Sequence, residues 1–238
     1  MDIDDPCEIL LQWAYMTSTS KERPSQRATL VALCGLAGAL ALGLLPISTW
    51  LIHGDSIGRL LAREAIWWCC ALAILLWLTL IERLPLSSIG FCLPTWKSVV
   101  FGVLAAIALT AIMVLEFSIV VPLLHLNTAS IVAGQRAILS TPYWYRILLV
   151  LRAAVVEEIL FRGYLIEKVR QLSKNTAFAV VVSVTAFTYA HLGGWGPVHL
   201  IAVGGGGLVF ALLYVWRRDL PSNILAHFLA DAAGFLTQ

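Results

Sequence analysis

The sequence predicts an all-α protein, a polytopic bundle of about seven transmembrane helices. Three observations predict it. Of 238 residues, 60% are hydrophobic and only 13% charged, with a mean hydropathy of +0.86, well outside the range of a soluble globular domain. The apolar residues fall in runs near the ~20 residues that a helix needs to cross a bilayer. These runs are continuous and not alternating, which disfavours a membrane barrel; helices are the other way to satisfy every backbone group in lipid.

Taken in order, the chain opens on "MDIDDPCEILLQWAYMTSTSKERPSQR", residues 1–27, which carries acids before its bases and has no short apolar core. It reads as a cytoplasmic tail and not as a cleaved signal peptide. Apolar runs follow at 28–52, 65–82, 98–122, 143–166, 176–191, 198–216 and 221–237, with "RLPLSSIGFCLPTWK" as the most evident connecting loop. Residues 28–238 thus form one membrane domain without an internal repeat. Lys21, Arg23, Arg27, Arg83, Lys97, Lys168, Arg170, Lys174, Arg217 and Arg218 fall on one side, against Arg59, Arg63, Arg136 and Arg146 on the other. That asymmetry places the N-terminus in the cytoplasm.

A net charge of +2, from sixteen basic and fourteen acidic residues, argues against nucleic acid or an acidic partner. Cysteines 7, 34, 69, 70 and 92 are odd in number and lack C-x-x-C spacing, so neither a disulfide framework nor a thiolate metal site is indicated.

Charge is informative by position. In "VVEEILFRGYLIEK", residues 155–168, Glu158 and Arg162 are four apart and share a helical face as a charge pair. Glu157 is rotated by about 100° from Glu158, beside Phe161 and Tyr164, and has no partner there. An ionisable residue deep in a bilayer costs from about 2.5 kcal/mol upward, so an unpaired one marks a functional site. The bland alternative is that both acids pair with Arg152, Arg162 or a distant base and lock helix packing. "AFTYAHLGGWGP" ends the fifth run with His191, four residues after Phe187. In "PSNILAHFLADAAGF", Asn223, His227 and Asp231 recur at four-residue spacing as one polar stripe that must face protein or water.

Peptide hydrolysis inside a membrane needs a general base, a confined water, donors at the oxyanion and an acid for the leaving amine. Glu157 suits the base. Counted from the cytoplasmic bases at about 1.5 Å per residue, Glu157, His227 and Asp231 lie roughly 12–20 Å into the membrane. His191 falls nearer the far side, so its helix must tilt, start deeper or end early.

The succession E-E-x-x-x-R, F-x-x-x-H and N-x-x-x-H-x-x-x-D on membrane helices resembles the CPBP family of intramembrane proteases. That family includes the CaaX prenyl endopeptidase and bacterial proteins linked to bacteriocin self-immunity. The motifs span residues 155–235, within a core at 143–237. The resemblance implies an intramembrane endopeptidase in a prokaryotic cytoplasmic membrane, acting on a membrane-embedded or lipidated protein. It implies that Glu157 activates the attacking water, that Glu158 and Arg162 hold its helix with Phe187 and Asn223 in support, and that His191, His227 and Asp231 complete the site. The family commonly has asparagine where this chain has Asp231. An amide donates to a developing oxyanion whereas an ionised carboxylate repels it, so Asp231 is protonated, orients His227 or binds a metal. Glu157, His191, His227 and Asp231 would make a zinc set, yet no H-E-x-x-H helix fixes the ligands. Zinc stays open as a cofactor, with a metal-free glutamate mechanism the favoured expectation.

Two other classes use the same residues. In a proton- or ion-coupled transporter, Glu157, Glu158, His191, His227 and Asp231 would form a relay; such folds are often built from paired repeats, and these residues crowd the C-terminal half. A non-catalytic immunity protein would keep the fold without turnover. "GDSIG", residues 54–58, matches a serine nucleophile pattern but lacks the strand and elbow that pattern requires. His199 reads as interfacial, and "GGGG", residues 204–207, as small residues that admit a neighbouring backbone.

Overall fold

The computed structural model describes residues 26–193 and 195–237. The expected tail, 1–27, lies outside them except for its last two residues. Every regular element among the described residues is helical. Helix α1 spans Gln26–Leu44. It stops before Pro46, which has no N–H to donate and drives Leu45 out of helical geometry. The short α2, Ile47–Leu51, follows, so the run 28–52 is two helices and not one. Helix α3, Ile57–Leu76, begins well before the expected residue 65 and runs on into a π-helical turn, Trp77–Ile81. Helix α4, Trp96–Leu115, is prolonged by a second π turn, Glu116–Val120, and by Val121–Leu123.

Helix α5, Ala129–Leu139, is an addition to the expected elements. Its Ser130, Gln135 and Arg136 break up the apolar run that a hydropathy reading needs. Helix α6 starts as Tyr143–Arg152, continues through a long π-helical segment, Ala153–Ile166, and ends as Glu167–Ser173, seven residues past the expected 166. The last three are α7, Thr176–Ala190, α8, His199–Arg217, and α9, Leu220–Phe235. Side chains at several starts supply the acceptors that a helix's free N–H groups require. Thr95 and Ser98 form a capping box on α4, Asn175 accepts from the Phe178 N–H at 3.0 Å, and Asp219 caps α9, with Pro221 in its first turn.

Four stretches are long and apolar enough to cross a membrane: Gln26–Leu44, Ile57–Ile81, Trp96–Leu123 and His199–Arg217. Their outer faces are bare hydrocarbon, with Leu30, Leu72, Leu104, Ile107 and Leu212 exposed. Exposed Trp96 and Trp216 lie at one end of their helices, Trp50, Tyr143 and Trp144 at the other, as expected of aromatic belts at two interfaces. The chain is a multi-pass integral membrane protein.

The middle of α6 is the axis of the bundle. Its π segment is buried almost throughout and touches α1, α3, α7, α8 and α9. Buried polar groups tie its far end down. Tyr164 donates to Glu82 at 2.6 Å, Lys168 pairs with the other oxygen of Glu82, and Glu167 accepts from Arg170, Tyr214 and Arg218. Gly35 of α1 lies against this cluster, since a Cβ there would run into the Tyr164 hydroxyl. Cys34, Cys69 and Cys70 are free, whereas Cys92 is disulfide-bonded, a pairing that the cysteine spacing did not indicate.

Candidate active site

The π segment of α6 decides how its acids face. In an α-helix, residues five apart diverge by about 140° at 3.6 residues per turn, but a π-helix bonds i to i+5 and brings them to one side. Arg152 and Glu157 are five apart, at the start of that segment, and Arg152 Nη1 donates to Glu157 Oε1 at 3.0 Å. The expectation of a Glu157 without a partner is therefore corrected. Arg152 Nε also donates to Glu64 Oε2 on α3 at 2.6 Å, and the Tyr145 hydroxyl donates to Glu64 Oε1 at 3.0 Å.

Glu158, fully buried, points the other way, into a set of donors. Its Oε1 accepts from Arg162 Nη1 and from His227 Nδ1, each at 2.8 Å, and its Oε2 from Asn223 Nδ2 at 3.1 Å. The Glu158 and Arg162 pair expected from their spacing is thus formed. Arg162 is also fully buried, with its guanidinium 4.0 Å from the centre of the Phe187 ring and 5.0 Å from that of Phe210. Its Nη2 reaches the Gly207 carbonyl at 3.4 Å. A Cβ on Gly207 would stand 3.0 Å from Phe187, so the last glycine of the "GGGG" run does admit a close neighbour.

Both histidines have one ring nitrogen assigned by their surroundings. The Phe187 carbonyl, which can only accept, lies 2.8 Å from His191 Nδ1. Nδ1 therefore carries the proton, and Nε2 faces Glu157 Oε2 at 3.8 Å. His191 is the residue just past α7, which ends at Ala190; the helix ends early enough to bring it level with Glu157. Glu158, as a carboxylate, accepts from His227 Nδ1–H, and Nε2 points to Asp231 Oδ2 at 3.6 Å. Phe210 stacks on the His227 ring at 4.8 Å. Asp231 lies within electrostatic reach of Glu157, His191 and His227, so the four residues expected to act together converge.

Among the described residues, no three His, Cys, Asp or Glu side chains gather closely enough to hold a metal ion. The closest contacts among the four candidates are Glu157 with His191 and His227 with Asp231. His199 stands apart, stacked under Trp195 at 4.9 Å and 6.4 Å from His191. Ser56 of "GDSIG" is the residue before α3, in a turn that contains Gly54 at φ +91°, with no strand among the described residues to make an elbow.

Residues 139–233 match a family model described as type II CAAX prenyl endopeptidase, Rce1-like. Over those residues the chain resembles an Rce1-like domain. The match runs from the start of α6 into α9 and includes Glu157, Glu158, Arg162, His191, Asn223, His227 and Asp231. No curated protein and no solved structure matches. Glu64 lies outside the matched residues, on α3, and is joined to them by Arg152 and Tyr145.

Proposed function

We propose that the chain is an intramembrane endopeptidase that hydrolyses a peptide bond of a membrane-associated or lipidated protein, with Glu157 as the base that activates water. The observation that carries this reading is the approach of Glu157 Oε2 to His191 Nε2 at 3.8 Å. That separation is too long for a direct hydrogen bond and suited to two groups that share a water. Water transfers a proton to Glu157 as its oxygen bonds to the scissile carbonyl carbon, and the carbonyl electron pair moves onto oxygen. His227, doubly protonated between Glu158 and Asp231, presents its Nε2–H to that oxyanion. On collapse the C–N bond breaks, and the proton held by Glu157 passes to the leaving amine. Arg162, enclosed by Phe187 and Phe210, keeps Glu158 in place and does not itself meet the substrate.

The test uses purified protein in detergent and an internally quenched farnesylated peptide ending in a CaaX sequence. Glu157→Gln should be made and folded at near wild-type level and should not cleave, a loss of at least ~10²-fold for a general base. Retained cleavage in Glu157→Gln, with none in Glu158→Gln, would reverse the assignment of the two acids.

A further inference from the structure

Glu157 is bound to a charged network that extends beyond the Rce1-like domain, and that network has a consequence for the reaction. Arg152 is shared by two carboxylates, Glu157 on its own helix at 3.0 Å and Glu64 on α3 at 2.6 Å. All three side chains are close to nine-tenths buried. Glu64 is fixed from its other oxygen by Tyr145, at 3.0 Å, and the Arg152 guanidinium lies 5.6 Å from the centre of the Trp67 ring, also on α3. Two acids around one base leave the trio with one net negative charge, which becomes zero when Glu157 takes a proton. With Glu157 as its only partner, Arg152 would at that moment be a buried cation with no counter-charge, a state that proteins strongly disfavour.

We infer that Glu64 and Arg152 are positioning residues of the catalytic base: Arg152 aims the Glu157 carboxylate at His191, and Glu64 neutralises Arg152 while Glu157 holds the proton taken from water. This rests on the reading of Glu157 as the base. No atom is exchanged with Glu64 or Arg152; the proton moves from water to Glu157 and on to the amine, as above. The arrangement also assigns a task to α3, which contributes no residue to the cluster of histidines.

The experiment compares Glu64→Gln, Arg152→Lys, Arg152→Gln and the double variant Glu64→Gln/Arg152→Gln in the farnesyl-peptide assay, with kcat, KM and melting temperature read for each. Arg152→Gln leaves Glu64 and Glu157 facing each other without a cation and should lower both kcat and melting temperature. The double variant carries no unpaired buried charge from the pair, so its melting temperature should return toward wild type while kcat stays down by about 10–100-fold at unchanged KM, the range seen when the partner behind a reactive group is removed. Arg152→Lys, which keeps the charge, should recover part of kcat. A purely structural role predicts instead that kcat recovers together with the melting temperature in the double variant. That result, or a Glu64→Gln enzyme with wild-type kcat, overturns the inference while Glu157→Gln stays inactive. If Glu157→Gln itself cleaves, the reading of the base fails, and the inference with it.

Discussion

Replacing Arg162 by alanine should damage the fold more than the chemistry, and the size of the effect follows from what the guanidinium touches. Arg162 has no solvent exposure, and neither has its partner Glu158, 2.8 Å away. Removing one member of a buried ion pair costs about 3–5 kcal/mol, because the other charge is left in a low-dielectric interior. Here Asn223 and His227 still donate to Glu158, which puts the loss at the lower end of that range. In addition, Phe187 and Phe210 lose a cation 4.0 and 5.0 Å from their centres, and such contacts contribute about 0.5–2 kcal/mol each. Together these give about 4–7 kcal/mol, a large share of the roughly 5–15 kcal/mol that holds a typical protein folded. For a chain of this size that is a fall in melting temperature of roughly 8–28 °C, at about 2–4 °C per kcal/mol. The assay is thermal unfolding of detergent-purified protein followed by tryptophan fluorescence, with size-exclusion yield as a second readout. Arg162→Lys keeps the charge but not the planar fork that meets Glu158 and Gly207 together, and should fall between alanine and wild type. A melting temperature for Arg162→Ala within about 2 °C of wild type would refute the assignment, since 1 kcal/mol alone shifts it by that much.

Other outcomes test separate parts of the molecule. Asp231→Asn should keep or raise turnover of the farnesylated peptide, and a chelator should leave wild-type turnover unchanged; a large loss together with chelator sensitivity and zinc rescue would reject the metal-free route. Gly35→Ala should destabilise the fold by about 1–3 kcal/mol, as overpacking does, because its Cβ meets Tyr164 and comes within 2.5 Å of Trp77 Nε1. Gly38→Ala, with nothing within 4 Å of its Cβ, should leave the melting temperature alone; equal effects at the two sites would contradict the packing of α1. Reporter fusions at Gln238 and within 217–220 should report opposite sides of the membrane, since α9 alone separates them, and the N-terminus should report the cytoplasm; a shared side for the first two would remove one span.

How much of this was legible in the sequence depends on which period each residue obeys. The apolar runs located the long helices because burial in lipid requires continuous hydrocarbon, and four-residue spacing placed Glu158 with Arg162, and Asn223 with His227, on common faces. Two readings failed for physical reasons. Hydropathy set the start of the second span at 65, so Glu64 was counted outside the membrane, although α3 begins at Ile57 and buries it. A lone acid inside an apolar helix is the signal that would have drawn attention to it. Arg152 was in view only as a packing partner, because α-helical geometry turns it away from Glu157; the contact exists only because the segment is π-helical, which spacing rules for α-helices do not anticipate. The short α5 escaped notice because Ser130, Gln135 and Arg136 interrupt its apolar residues.

Donors also separate the acid proposed as the base from those that hold the bundle. A carboxylate can take a proton from water only if one of its oxygens is not already committed to strong donors. Glu158 accepts three hydrogen bonds, and Glu167 is held by Arg170, Tyr214 and Arg218. Glu82 has Tyr164 on one oxygen and Lys168 on the other, and Glu64 has Tyr145 and Arg152. Protonating any of these breaks existing bonds to buried donors, each expensive to leave unmade. Glu116, on the π turn of α4, has the opposite deficiency: it is buried, and its Oε1 has no hydrogen-bond partner, so no donor fixes that oxygen in direction. Glu157 alone in this set combines the two conditions. Arg152 anchors its Oε1, while the neighbour of its Oε2 is the unprotonated ring nitrogen of His191 at 3.8 Å. An oxygen fixed in direction, unsaturated and facing a second proton acceptor is what a base for water requires, and this distinguishes Glu157 from an adjacent glutamate of identical chemistry.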